Sequence, residues 1–376
     1  MTRTQAPNPA PNQAPNPAPN PAPNPAPSPA PGPAPSPASG PAQAPAPTAP
    51  LGPADLRLLA AAGGAAPSLH NSQPWRFAPT PDGHGLAVRA DPGRSVPLAD
   101  PVGAAVHIAV GAAVFNLRVA AGRLGREPVV RLLPDAADPG LLAVLDLSGP
   151  ARARTPFGRD LHPAIAARHS SREPFTQRDV PEAVLGELIT AARDEGVAPA
   201  VLEEDGVRRV LALTAEAERR NAADPARTAE SRAWLRTDGA AAGDGIPWSA
   251  LGSQDHDARV PMRAFAGRPP RGPAQPSHRF EALPQLCTLS TPGDGPPDWL
   301  RTGQALERVW LLATVHGVRL TVWHQAVEWP DTRWALRDPA EGPGHVQLVV
   351  RVGYGPPGAA TPRRPVTETL DGPAGS

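Results

Sequence analysis

The sequence predicts an α+β fold made of two diverged copies of one unit, folded back on each other as an intramolecular pseudo-dimer. Three observations predict it. Segments with apolar residues at three-and-four spacing alternate with short β-rich runs along most of the chain. Two long helical segments repeat a pattern: Gly111-x-Ala113 is followed by Gly125, and Gly303-x-Ala305 by Gly317, with both glycine pairs fourteen residues apart. In the same register Leu117-x-x-x-Ala121 matches Val309-x-x-x-Ala313, and the segments Leu56–Ala62 and Leu185–Ala192 share a Leu/Ala-rich face. Two unrelated helices in an Ala-rich chain could share such spacing. The complementarity of the halves favours duplication: only the first carries an amide- and hydroxyl-rich loop, and only the second an arginine–hydroxyl cluster.

Residues 1–52 read as a tail outside this fold. The first fifty hold 19 of the 55 prolines, in Pro-Ala-Pro-Asn and Pro-Ala-Pro-Ser repeats with almost no bulky apolar side chain. Such a tract buries too little surface to offset chain entropy and is expected to stay unfolded, locally as polyproline II. Fully extended it would reach about 150 Å, at roughly 3.1 Å per residue. It has no apolar run of the kind a signal peptide needs.

The first half, 53–150, begins with a helix from Asp55 to Ala65. Strands follow at Trp75–Pro79 and Leu86–Arg89 around the turn Pro81-Asp82-Gly83. A long apolar helix runs from Val102 to Gly125, then short strands at Val129–Leu133 and Leu141–Leu147. The second half, 151–376, reads as helix at Leu161–Arg168 and at Pro181–Glu195, the latter with proline in its first turn. A strand at Ala198–Leu202 and helices at Gly206–Asn221 and Ala226–Leu235 come next. Residues Asp238 to Arg279, rich in Pro, Gly, Arg and Ala, form an irregular segment of a length expected either of a lid or of a disordered stretch. The second long helix covers Pro297–Gly317, with strands at Val318–Trp323 and His345–Val352.

Composition bounds the chemistry. The 36 basic and 36 acidic residues balance, and every basic residue is arginine. An anion site must therefore use arginine, histidine, hydroxyls or backbone N–H groups. No basic, aromatic-interleaved face suggests nucleic-acid binding. No apolar run is expected to reach the ~20 residues that span a bilayer, so no membrane partner is expected. The single cysteine, Cys287, excludes an internal disulfide and fits a reducing, cytoplasmic setting.

Two stretches carry candidate chemistry. In Ala66-Pro67-Ser68-Leu69-His70-Asn71-Ser72-Gln73-Pro74-Trp75, the prolines stop the preceding helix and stiffen a loop bearing Ser68, Asn71 and Gln73. Fixed donors and acceptors suit a planar hydrogen-bonding ligand, although the same residues also make an ordinary helix-ending turn. Arg168, Ser170 and Arg172 place two guanidiniums and a hydroxyl within five residues, and Arg363 and Arg364 add a pair between prolines. Phosphate oxygens suit such forked donors, while a solvated arginine face is the plainer reading. Gly353-x-Gly355-x-x-Gly358 imitates a dinucleotide fingerprint, but Pro356-Pro357 forbids the helix it requires. His316, His324 and His345 lack metal-ligand spacing, so no metal is expected.

Together the two stretches resemble the nitroreductase family of FMN flavoproteins. The Pro67-Ser68-x-x-Asn71-x-Gln73-Pro74 loop is similar to its ring-contacting motif, and Arg168-x-Ser170-x-Arg172 to its phosphate-binding motif. Gly353-Tyr354-Gly355 followed by Pro362-Arg363-Arg364-Pro365 resembles its C-terminal end. In that family each FMN lies between these motifs from two intertwined subunits. One chain with the motifs in separate halves is similar to the Acg-type branch, found mainly in actinobacteria. The resemblance implies a nitroreductase-like fold over 53–376, one composite FMN site and a chain that suffices as a monomer. It assigns the phosphate to Arg168, Ser170 and one or both of Arg363 and Arg364, reduced-flavin charge to Arg172, and the ring to Pro67, Ser68 and Asn71. Gln73 and Trp75 would support the loop, a backbone donor within Gly317–Gln325 would face the ring, and 238–279 would cover it, with Trp248, Met262 and Phe265 in the cover. The implied activity is electron transfer from NAD(P)H to a small-molecule acceptor. The alternative is a protein that sequesters flavin beneath a closed lid without turnover. No side-chain acid or base is assigned.

Overall fold

The computed structural model describes residues 49–149, 157–265, 274–337 and 344–372. The expected tail up to residue 48, the expected junction between halves at 150–156, and 266–273 of the irregular segment lie outside the described residues.

In the first half, α1 (Pro53–Gly64) leads to the hairpin β1 (Trp75–Pro79) and β2 (Gly85–Ala90). The long helix α2 (Ala104–Arg123) follows, then β3 (Val129–Leu132) and β4 (Leu141–Asp146). In the second, α3 (His162–Ala167) and α4 (Glu182–Asp194) precede β5 (Ala198–Val201). Then come α5 (Glu204–Ala223) and α6 (Pro225–Ala233), whose start is capped by the Asp224 carboxylate accepting from Ala226 N and Arg227 N. Short parallel pairs β6 (Leu235–Arg236) with β7 (Ile246–Pro247), and β8 (Gln254–Asp255) with β9 (Ser277–His278), punctuate the irregular segment. The half closes with β10 (Gln285–Thr291), α7 (Pro296–Val315), β11 (Arg319–Trp323), α8 (Pro330–Ala335), β12 (His345–Gly353) and α9 (Val366–Thr369).

The two main sheets show the duplication. The first runs β3-β4-β2-β1 and the second β11-β12-β10-β5, all pairs antiparallel. In both, a long helix connects the second strand of the unit to the third. In both, a bulge interrupts the same pair, between Val88 and Arg89 and between Leu289 and Ser290. Gly125 and Gly317 end the long helices with φ of 70° or close to it (+68° and +70°), the left-handed conformation that glycine adopts most cheaply. The copies differ where β1 and β2 meet in a tight turn: the equivalent strands β5 and β10 are separated by 202–284, which hold α5, α6 and the irregular segment.

Helices α2 and α7 cross at their matching glycines. A Cβ on Gly111 would lie 2.2 Å from Leu300 O, and one on Gly303 would lie 2.0 Å from Ile108 O. The contact is therefore self-complementary, each glycine meeting the carbonyl three residues before the other, as a twofold relation requires. The cores interlock there. Leu300 and Leu311 of α7 pack into the first-half core with Trp75, Phe115 and Leu145, whereas Ile108 of α2 packs into the second-half core with Trp310 and Leu348. Each such fully buried side chain is worth about 1.5–3 kcal/mol of transfer free energy.

Three sequence expectations need correction. Strand β10 has no counterpart among the elements expected from the sequence. It is central in its sheet and buried on both faces, so Leu286-Cys287-Thr288-Leu289 shows no clean alternation. By length and composition α2 could cross a bilayer, contrary to the expectation that no run is long enough, but its residues from Ile108 to Leu117 are all buried within the fold. Finally, Leu51 is buried and the Ala49 carbonyl accepts from Arg126 Nη2 at 2.6 Å, so the packed chain starts before residue 52.

Candidate functional site

The loop after α1 is held in a costly conformation. His70, Asn71 and Gln73 have φ of +54°, +55° and +53°, a region that side chains other than glycine enter rarely. Ser68 Oγ accepts from Gln73 N at 2.9 Å and fixes the turn. Gln73 is fully buried and acts as a brace. Its Nε2 donates to Gly243 O at 2.8 Å, and its Oε1 accepts from Arg364 N at 2.9 Å. Asn71 Nδ2 donates to Gly245 O at 2.8 Å and Pro362 O at 2.9 Å, while Asn71 Oδ1 accepts from Arg363 Nη1 at 3.0 Å.

This loop and the 168–172 segment face one bipartite cavity. Its smaller part is lined by Pro67, Ser68, Asn71, Arg168, Ser170, Arg172 and Arg363. Its larger part shares Pro67, Ser68, Ser170 and Arg172, and adds His70, Trp310 and residues 321–325 after α7. The two sequence stretches, about a hundred residues apart, thus meet.

The smaller part is electropositive. Arg168 Nη2 and Arg363 Nη2 donate to the same acceptor, Ala65 O, at 2.9 and 3.1 Å. Arg168 pairs with the buried Glu307 at 3.2 Å and stacks on Trp310, its guanidinium carbon 4.6 Å from the ring centre. Among the described residues no carboxylate forms an ion pair with Arg363 or Arg172. Burial, then the neighbouring Arg168, presses Arg363 down to about 9. Burial, then Arg263, presses Arg172 down to about 10. Burial and the same two guanidiniums, Arg168 and Arg363, also lower His169. Cations gathered around one carboxylate leave a surplus of positive charge that an anion would relieve.

Of the expected residues, Pro67, Ser68, Asn71, Arg168, Ser170, Arg172 and Arg363 come together. Arg364 does not. Its Nη2 donates to Glu368 O at 2.9 Å and its Nη1 lies 3.5 Å from Asp91, outside both parts of the cavity. Arg168 and Asn71 are also less free than the sequence implied, since protein groups already engage them.

The irregular segment supplies one wall of the larger part through Ile246, Leu251, Met262, Arg263 and Phe265. Trp248 stands behind it, against the cluster of Ile246, Ala250, Leu251 and Phe265. Arg172 Nη1 donates to Ala250 O at 2.8 Å. The far end is clasped: Ala264 N donates to Glu218 Oε1 at 2.7 Å, and Arg263 pairs with Glu328. Burial alone would raise the Glu328 carboxyl, but Arg263 and His324 outweigh it and hold it at about 2. Among the cavity groups that escaped the sequence reading are Arg263, Trp310 and His70, the last sitting between the quoted motif positions. His70 lies in the quoted loop, but nothing local marks its ring as buried.

No family model matches the chain. Known proteins do. Over 312 residues the chain is 31% identical to a Mycobacterium tuberculosis protein whose name, acg, places it among NAD(P)H nitroreductases, covering 81% of this chain and 92% of that protein. Another M. tuberculosis protein so named, Rv3131, is 29% identical over 320 residues, covering 82% and 88%. Among solved structures, a Bacteroides fragilis nitroreductase with bound FMN aligns at TM-score 0.34 and 15% identity over 55% of this chain and 94% of its own. A nitroreductase-like protein from Bacillus cereus aligns at TM-score 0.35 and 14% identity over 58% and 97%. The fold and the paired motifs define a single-chain, internally duplicated nitroreductase-like protein. The chain belongs to the Acg family of nitroreductase-like proteins.

Proposed function

We propose that the chain binds FMN in the bipartite cavity and acts as an oxidoreductase, taking electrons from NAD(P)H to a small-molecule acceptor. The carrying observation is the convergence of Arg168 and Arg363 on Ala65 O beside the loop of the other half. A phosphate suits the electropositive smaller part, and a planar heteroaromatic ring suits the larger one, which mixes apolar walls with Ser68, Ser170 and Thr321. Arg363, Arg168 and Ser170 would hold the phosphate, with Arg172 offsetting negative charge on a reduced ring. Pro67 and Ser68 would position the ring, and Asn71 would act chiefly by fixing Arg363 and the 243–245 strand-end. When bound, FMN supplies the hydride and electron chemistry; the protein supplies placement, charge and exclusion of water. Since both halves of the site lie in one chain, a monomer suffices.

A second reading is favoured by the clasped wall at 246–265: a flavin holder whose cover prevents turnover. The test is anaerobic stopped-flow of FMN-loaded protein against NADPH and NADH. Bleaching of the flavin absorbance within seconds supports the oxidoreductase. A stable yellow protein with either nucleotide supports the holder. Failure to take up FMN overturns both.

A further inference from the structure

Within the loop, His70 combines a cavity-lining ring with two buried nitrogens that no protein group engages. Its ring is only 3% exposed, yet neither Nδ1 nor Nε2 has a hydrogen-bond partner. Its neighbours Ser68, Asn71 and Gln73 are all engaged by protein groups. The ring lines the larger part of the cavity and meets the edge of Phe265, with centroids 5.7 Å apart and planes at 75°. Its backbone is left-handed, so the fold holds an unfavourable conformation and buries two polar nitrogens without return. Conformational strain and unsatisfied polar groups persist where an occupant of the site repays them.

We propose that His70 hydrogen-bonds the heteroaromatic ring of the cofactor and so fixes and tunes it, a role that rests on the FMN reading above. A neutral imidazole offers one N–H donor and one lone pair, matching a flavin rim that alternates carbonyl and ring-nitrogen acceptors with an N–H donor. Burial first, then Arg263, keeps the ring neutral by lowering its titration to about 3. A cation there would add to the charge of Arg172 and Arg263, and would have no lone pair to offer.

The test compares wild type with His70→Phe and His70→Gln in the full chain. Three quantities are read: FMN dissociation constant by fluorescence quenching, the midpoint potential and visible spectrum of the bound flavin, and melting of the ligand-free protein. The expected result is that His70→Phe weakens FMN at least tenfold and shifts potential or spectrum, while ligand-free melting holds or rises because two unsatisfied nitrogens are gone. His70→Gln, which restores a donor and an acceptor, should recover most of the affinity. Unchanged affinity, spectrum and potential in His70→Phe overturn the proposal while leaving the FMN reading intact. A fall in ligand-free melting that accompanies the weaker binding in both variants assigns the ring to packing and also overturns it. If wild type takes up no FMN, the functional reading itself fails.

Discussion

Gly111 and Gly303 stand against each other where α2 and α7 cross, each leaving room for a backbone carbonyl of the other's helix. The contact joins the two repeats at their symmetric centre, and it sets the distance between the loop of one half and the arginines of the other.

A methyl group at Gly303 must therefore push the helices apart. Gly303→Ala is expected to cost about 1–3 kcal/mol by overpacking, partly offset by the better helix propensity of alanine. At about 2.1 cal/mol/K of unfolding entropy per residue, each kcal/mol lowers Tm by roughly 1.5 °C at this chain size. Thermal melting followed by circular dichroism checks it, and a variant as stable as wild type would mean that the crossing is looser than the glycine contact requires.

Arg168 and Glu307 form a buried pair with side-chain exposures of 3% and 0%. Removing the cation alone strands a carboxylate that burial already raises. Arg168→Gln should cost about 3–5 kcal/mol, and adding Glu307→Gln should recover most of it. Urea unfolding of the single and double variants measures the coupling. Equal, additive losses would show that the two side chains act independently.

Stability should also depend on His70 through pH. In the unfolded chain this ring protonates near pH 6.5, whereas in the folded chain it does so only at about 3. Unfolded protein thus binds the extra proton between those values, so the contribution is full above pH 6.5 and is lost as pH falls towards 3. By pH 5 the loss is about 2 kcal/mol, at roughly 1.4 kcal/mol per pH unit. Urea unfolding of ligand-free wild type and His70→Gln at pH 7 and pH 5 isolates it. The same pH dependence in both would mean that the folded ring takes up its proton freely.

If the 246–265 wall limits access, trimming it should speed the reaction with nucleotide. Met262→Ala with Phe265→Ala is expected to raise the rate of flavin reduction by NADPH at least about tenfold, at a stability cost near the ~3–5 kcal/mol of a buried Phe→Ala change. Stopped-flow on the FMN-loaded variant, with a melting control, reads both. No acceleration in a cooperatively folded variant would place the barrier at the ring itself. The Arg263–Glu328 clasp is left in place, because deleting the whole segment would remove one of the two arginines paired with the buried Glu328.

The sequence by itself determined the duplication and most elements, because helix periodicity, proline starts and glycine stops act over a few residues. It also determined which residue types gather: the Pro67–Trp75 loop, the Arg168–Arg172 cluster and the Arg363-Arg364 pair. Tertiary structure alone decided their use. Asn71 finds Pro362, Arg168 finds Glu307 and Gln73 finds Gly243 across more than a hundred residues of chain. The turn of Arg363 into the cavity and of Arg364 towards Asp91 and Glu368, the unpartnered nitrogens of His70, and the burial of β10 on both faces depend on the same long-range closure. Local pattern reports what a segment prefers, whereas a buried charge or ring is defined by what the rest of the chain brings against it.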